Sequence, residues 1–143
     1  MNPYIRHLEC EDVLQVYDLG RKVAEFTAND HTFWSLDTLE RFAREGLSLV
    51  VEEADDTRLV GFLLTTYQPV TRKLTWENMY LDPAYRGKSL AQACFHQSWS
   101  VAQQRGAIMA EGIVKVTNDA SRHMLESLGF QTAGTYNWML QSK

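Results

Sequence analysis

Apolar residues recur along this chain at two spacings, and the alternation between them divides it into short elements. Tyr4 to Leu8 predicts a strand. From Glu11 to Phe26 the positions Val13, Val16, Tyr17, Gly20 and Ala24 share one face at helical spacing and predict a helix. Thr27 to Trp34 mixes polar and aromatic residues and reads as a loop. Ser35 is placed to cap a second helix that runs through Glu45 and ends at Gly46. Leu47 to Glu53 and Leu59 to Tyr67 flank a turn at Ala54–Thr57 as a hairpin, and the second run is apolar on both faces, the pattern of a buried strand. Leu74 to Leu81 predicts another strand, stopped at Asp82-Pro83. Lys88 to Arg105 returns to helical spacing, with Leu90, Ala91, Cys94, Phe95, Ser98 and Ala102 in one stripe and Gly106 at its end. Ala107 to Val114 is then a strand, and Asp119 to Ser127 a short helix capped by Asn118. Phe130 to Ala133 and Tyr136 to Leu140 form a closing β pair around Gly134.

The predicted order is β-α-α-β-β-β-α-β-α-β-β. An early antiparallel hairpin joined to two late strand–helix units implies an α/β fold, a mixed and mostly antiparallel sheet with helices on both faces. No repeat, low-complexity stretch or Pro/Gly/Ser linker interrupts the chain, so residues 1–143 are expected to form a single domain.

Composition narrows the function classes. Hydrophobic residues make up 45% and charged residues 22%, ordinary for a globular chain. No apolar run approaches the roughly 20 residues of a membrane span, so no membrane partner is expected. Met1 to Glu9 lacks the apolar stretch of a secretory signal. Cys10 and Cys94 are too few for a disulfide scaffold, and a cytoplasmic location is expected. A net charge of −4 without a Lys/Arg cluster argues against nucleic acid as a partner. The four histidines and two cysteines show no metal-ligand spacing, so no metal is expected.

The most informative segment runs from Leu81 to Ala91. It joins a strand to a long helix through a turn containing Gly87 and Ser89, flanked by Arg86 and Lys88. Such a turn directs backbone N–H groups at one spot beside the positive end of a helix dipole, a ready site for a pyrophosphate. Gly87 permits close approach, and the small Ser89 and Ala91 do not block it. Many strand–helix turns carry the same residues and bind nothing, so on its own the turn supports both readings. It is neither a Walker A loop nor a dinucleotide fingerprint.

Arg86-Gly87-Lys88-Ser89-Leu90-Ala91 resembles motif A of the GNAT N-acetyltransferase superfamily, Arg/Gln-x-x-Gly-x-Gly/Ala, often preceded by Pro-x-Tyr as Pro83 and Tyr85 are here. It departs at Ser89, where the family usually has Gly; binding weakens if that position needs a positive φ. Asn118 to Phe130 resembles the family's motif B and is similar to the version in the branch that acetylates ribosomal-protein N-termini. The resemblance implies acetyl-coenzyme A as cosubstrate. It implies transfer of the acetyl group to a primary amine, on a small molecule or a protein N-terminus, by direct attack in a ternary complex. It also implies a pyrophosphate held by Arg86 to Ala91, Leu90 included. The pantetheine arm would pair with Met79, Tyr80 and Leu81 where the strand splays at a bulge, with Asn118 on its other side. Relatives pair through C-terminal strands, so a homodimer falls within what the resemblance implies.

Acetyl transfer needs a base for the ammonium, donors for the developing oxyanion and an outlet for the thiolate. The resemblance puts the base at Glu77, on the strand entering the turn; apolar neighbours there would raise its carboxyl toward a useful value. A solvated edge-strand glutamate is the alternative. Glu111 on the next strand is the reserve. A backbone N–H near Asn78 to Tyr80 is the expected oxyanion donor. Many relatives carry a Tyr as the acid where this chain has Leu125, which leaves Ser121 to bond the sulfur, or simply to help the helix cap. His31 and His123 could titrate near neutrality but have no visible partner. The loop Asn29 to Trp34 is where relatives build the acceptor pocket. Phe33 and Trp34 read either as its walls or as a hydrophobic clamp. The alternative to an active enzyme, motivated by Ser89 and Leu125, is a coenzyme A-binding domain with a regulatory role. A purely structural module is a third reading.

Overall fold

A computed structural model describes residues 1–27, 33–87, 89–137, 139 and 141. They fall into two compact units, Met1–Ile113 and Val114–Lys143. The first contains strands β1 (Pro3–His7), β2 (Leu49–Glu53), β3 (Arg58–Gln68), β4 (Lys73–Leu81) and β5 (Met109–Gly112), with helices α1 (Val13–Gly20), α2 (Leu36–Glu45) and α3 (Leu90–Gln104). The second contains α4 (Asp119–Ser127). The strands form one sheet in the order β1-β2-β3-β4-β5, antiparallel except for the parallel β4–β5 pair. The α/β class and the mixed, mostly antiparallel sheet therefore hold.

Two irregularities decide which side chains face which layer. Val51 pairs with Gly61 and Glu52 with Leu59, so Val60 is the extra residue of a bulge. That lets Leu59, three positions before Phe62, join it in one cluster with Val13 and Val16 of α1, Leu39 and Phe42 of α2, Val50 and Leu64. Further along, Leu64 pairs with Asn78 and Thr65 with Trp76, leaving Glu77 as the extra residue of a second bulge. Trp76 consequently lies on the opposite face to Leu64. Its ring meets Phe95 of α3 at 4.4 Å, and its indole N–H donates to Ser98 Oγ at 3.1 Å. One face of the sheet is covered by α1 and α2, the other by α3.

Half-buried ionic groups around the buried Asp12 tie the first strand in. Arg6 forks onto Asp12 at 2.7 and 2.9 Å and reaches Glu52 at 2.9 Å. Burial acts to raise the Asp12 carboxyl, but Arg6 and the Glu9 N–H outweigh it and hold the group below the usual carboxylate range.

Three expectations need correction. The helix expected over Glu11–Phe26 breaks after Gly20; Val23 is extended, and Ala24–Phe26 form a separate short turn of 3₁₀ helix. The break lets Phe26 turn inward to meet Phe62, with ring centroids 6.1 Å apart. The strand expected over Ala107–Val114 is confined to Met109–Gly112. The closing β pair is not formed among the described residues: residues 130–137, 139 and 141 hold no strand, and residues 131–137 are exposed. A lone two-stranded ribbon that buries no face is marginal in water. Trp138 and Leu140 lie outside the described residues. No helix among the described residues is long and apolar enough to cross a membrane.

Gly20 is a steric requirement. A Cβ there would come within 2.2 Å of the Phe33 ring. Alanine on an exposed helix face would stabilise by up to about 1 kcal/mol. Here Gly20→Ala is expected to destabilise by roughly 1–3 kcal/mol, the usual range for overpacking, read as a lowered urea midpoint at unchanged slope.

Candidate active site

The second bulge builds a cleft. A regular strand would turn Glu77 and Asn78 to opposite faces; with Glu77 as the extra residue, both line one cleft of about 300 Å³, together with Phe26, Phe33 and Trp34. Glu77 Oε1 accepts from Thr66 Oγ1 at 2.9 Å. The Trp34 indole N–H donates to Asn78 Oδ1 at 2.6 Å. Trp34 also stands edge-on to Phe42 at 5.2 Å, and Phe33 stacks on Phe26 at 6.1 Å. Both aromatics thus pack as a hydrophobic clamp and also line this cleft. The rest of the expected acceptor loop, Asn29 to Thr32 with His31, lies outside the described residues.

Beside the cleft β4 loses its outer partner. β5 pairs with β4 only from Lys73 to Trp76, so among the described residues no strand covers the edge of residues 77–81 facing β5, where the Leu81 carbonyl alone is taken, by Arg86 Nε. Met79, Tyr80 and Leu81 lie on this stretch, and Tyr80 stacks on Phe62 at 5.7 Å. An unpaired edge offers backbone N–H and C=O groups to an extended ligand.

The turn beyond is braced from beneath. Asp82 Oδ1 caps the short Pro83–Tyr85 turn by accepting from the Ala84 N–H at 3.0 Å. Tyr85, 3% exposed, donates from its phenol to Glu53 Oε2 at 2.6 Å. That bond holds the Glu53 carboxyl below its ordinary value and pushes the Tyr85 phenol up. Nothing in the sequence spacing of positions 53 and 85 reports this contact across the sheet. Arg86 Nε donates to the Leu81 carbonyl at 2.8 Å. Gly87 has φ 77°, and a Cβ there would meet nothing within 4 Å, so the bend is open. Lys88 lies outside the described residues.

Ser89 sits at the N-cap of α3 with φ 62° and ψ 13° and makes no side-chain cap bond. The position therefore does need a positive φ, where a non-glycine residue costs about 1–2 kcal/mol. Leu90 and Ala91 open the helix, and the Ser89 side chain caps neither N–H. An open bend, two opening amides without a side-chain cap and a strand edge that no described strand covers together fit the diphosphate and extended arm of coenzyme A.

Other candidates have structural partners. Glu111, opposite Thr75, accepts from the Thr75 hydroxyl at 3.1 Å and pairs with Lys73 at 3.2 Å. In the second unit, Asn118 Oδ1 caps α4 by accepting from the Ser121 N–H at 3.1 Å, and Leu125 is buried. His123 is exposed. Cys94 is buried, which pushes its thiol up to about 12, whereas Cys10 is exposed. Among the described residues no group of His, Cys, Asp and Glu is placed to hold a metal.

The model of the acetyltransferase (GNAT) family matches residues 13–130. No curated protein matches significantly. Among solved structures, the chain is similar to the PaiA N-acetyltransferase of Thermoplasma acidophilum in complex with coenzyme A, at 19% identity and TM-score 0.72, covering 95% of this chain and 94% of that one. The ribosomal-protein-S18-alanine N-acetyltransferase of Escherichia coli matches at 23% identity and TM-score 0.73, over 92% of this chain and 79% of that one. Diaminobutyrate acetyltransferase EctA from Paenibacillus lautus, in complex with L-2,4-diaminobutyric acid and coenzyme A, matches at 19% identity and TM-score 0.74, over 89% and 74%. At these identities the likeness is one of fold.

Two variants probe the turn. Ser89→Gly is expected to hold stability within about 0.5 kcal/mol or raise it, whereas Ser89→Val, β-branched in the left-handed region, loses roughly 1–3 kcal/mol by urea unfolding. Tyr85→Phe tests the brace. The depressed Glu53 carboxyl adds stability above its ordinary value of 4.5 and loses it as pH falls through the folded value. The variant should lower the urea midpoint at neutral pH and shrink the drop in midpoint between about pH 5 and 3.

Proposed function

This chain belongs to the acetyltransferase (GNAT) family, and on that footing we propose that it moves the acetyl group of acetyl-coenzyme A onto a primary amine by direct attack in a ternary complex. The observation that carries the reading is the bulge that turns the Glu77 carboxyl into an aromatic-walled cleft, beside a strand edge that no described strand covers. Arg86, Gly87, Lys88, Ser89, Leu90 and Ala91 would hold the diphosphate, and Met79, Tyr80 and Leu81 the pantetheine arm. Acetyl-coenzyme A, when bound, supplies a thioester carbonyl.

Glu77 takes the proton from the incoming ammonium, directly or through a water, and so frees the nitrogen lone pair for attack. Thr66 holds one carboxyl oxygen in place. Backbone N–H groups between Asn78 and Tyr80 donate to the carbonyl oxygen as it gains charge. Attack leaves a second proton on the nitrogen; as the C–S bond breaks that proton passes to water, and the thiolate leaves with its sulfur accepting a hydrogen bond from the Ser121 hydroxyl, to be protonated by solvent. The roles of Ser121 and Asn118 stand on the motif alone. The acceptor is a primary amine of one of the classes the resemblance implies, a small molecule or a protein N-terminus.

Acetyl-coenzyme A at 100 times its dissociation constant should stabilise the protein by about 2.7 kcal/mol in thermal unfolding. Glu77→Gln should keep that stabilisation and lose roughly 10²- to 10⁴-fold in amine-dependent thiol release. Full turnover in Glu77→Gln with an unaltered pH profile would remove Glu77 as the base. Binding without thiol release for any amine would leave a coenzyme A-binding domain, and no binding at all would leave a structural module.

A further inference from the structure

Resting on the acetyl-transfer reading, we propose that the cleft beside the bulge takes an amine carried on an apolar group, aromatic above all, with no carboxylate nearby. Phe26, Phe33 and Trp34 form its walls, and Glu77 is the one ionisable side chain lining it among the described residues. Aromatic faces carry negative quadrupoles and attract a cation, and the Glu77 carboxyl adds to that field. No cationic side chain among the described lining residues offers a partner to an acidic substrate. A carboxylate carried into this cleft would be desolvated beside another carboxyl.

The polar lining is as selective as the charge. Phe26 and Phe33 have no side-chain hydrogen-bonding group and the Trp34 N–H is already committed to Asn78 Oδ1 at 2.6 Å, which leaves the Asn78 amide N–H groups and the Glu77 carboxyl as the polar groups of the described lining. A polyhydroxylated amine would lose water at its hydroxyls and find few replacements. A flat apolar body meets rings on several sides. At about 300 Å³ the cleft lies at the small end of ligand sites and suits one aryl-sized group. That group could belong to a free arylalkylamine or to the first residue of a peptide, since both present an ammonium with an apolar flank and no adjacent carboxylate.

Phenethylamine, phenylalanine, glucosamine and the dipeptide amide Phe-Ala-NH₂ form a discriminating set for the intact protein. Phenethylamine or the dipeptide amide should exceed phenylalanine and glucosamine about tenfold or more in kcat/KM for thiol release. Preference for the dipeptide amide identifies a peptide N-terminus as the source, and preference for phenethylamine a free amine. Trp34→Ala should raise the KM of the preferred amine about tenfold at unchanged KM for acetyl-coenzyme A, and Trp34→Phe should restore most of it. Should no amine turn over, quenching of Trp34 fluorescence by phenethylamine, referenced to Trp34→Phe, decides the assignment. Equal handling of phenylalanine or glucosamine, an unmoved KM in Trp34→Ala, or no quenching where nothing turns over would overturn it. Thermal stabilisation by acetyl-coenzyme A is measured alongside. Its persistence with the wrong amine preference rejects only the acceptor class, and its absence rejects the transfer reading.

Discussion

One surplus residue in a strand sets the geometry of this protein. Side chains on a regular strand alternate faces, so Trp76 and Asn78 would share a face. The bulge at Glu77 reverses that parity. Trp76 goes under α3, where Ser98 satisfies its indole, and Asn78 goes to the opposite layer, where it receives the indole of Trp34. The ring of Trp76 is thereby buried and the half-buried carboxamide of Asn78 finds a partner. The same irregularity puts the Glu77 carboxyl next to Asn78, where the outer hydrogen bonds of β4 come to an end. Packing of the core and chemistry of the cleft follow from one local event.

The turn that follows is held by bonds that leave its outer surface clear. Tyr85 and Glu53 lock it to β2 from within, Asp82 caps its short helical turn, and Arg86 reaches back to the Leu81 carbonyl. Tyr85, Asp82 and Arg86 thus point their polar atoms into the scaffold. Around Gly87 a Cβ would meet nothing within 4 Å, and the Ser89 side chain does not cap the opening of α3. Preorganisation of this kind lowers the ordering needed when an anion arrives.

Much of the fold was legible because it depends on local period and punctuation. The amphipathic stripe of α3, the apolar run of β3 and the cap at Ser35 are written in neighbouring residues, and the Arg86–Ala91 motif is contiguous. The bulge was not visible in the residues themselves, since Glu77 looks like any strand residue until its partners are known; only the resemblance implied it. The break after Gly20 has the same origin: the helical period continues through Ala24, but the Phe33 ring and the inward turn of Phe26 override it. Among the described residues the closing strands are not formed, for another reason. Their β-branched and aromatic residues fit a pleated surface, and propensity of that sort takes effect only where a neighbouring strand and a buried face exist. Ser89 was visible as a departure, and its left-handed backbone gives that departure its physical meaning.

The contact between Gly20 and Phe33 has a consequence for how such a protein can diversify. Gly20 does not line the cleft, yet its missing side chain is the space the Phe33 ring occupies. The two positions share one fixed volume, so a bulkier residue in the helix demands a smaller one in the wall. The shape of the cleft is then inherited as a pair of exchanges, and lineages descended from a common sequence would show the two sites trading size in opposite directions.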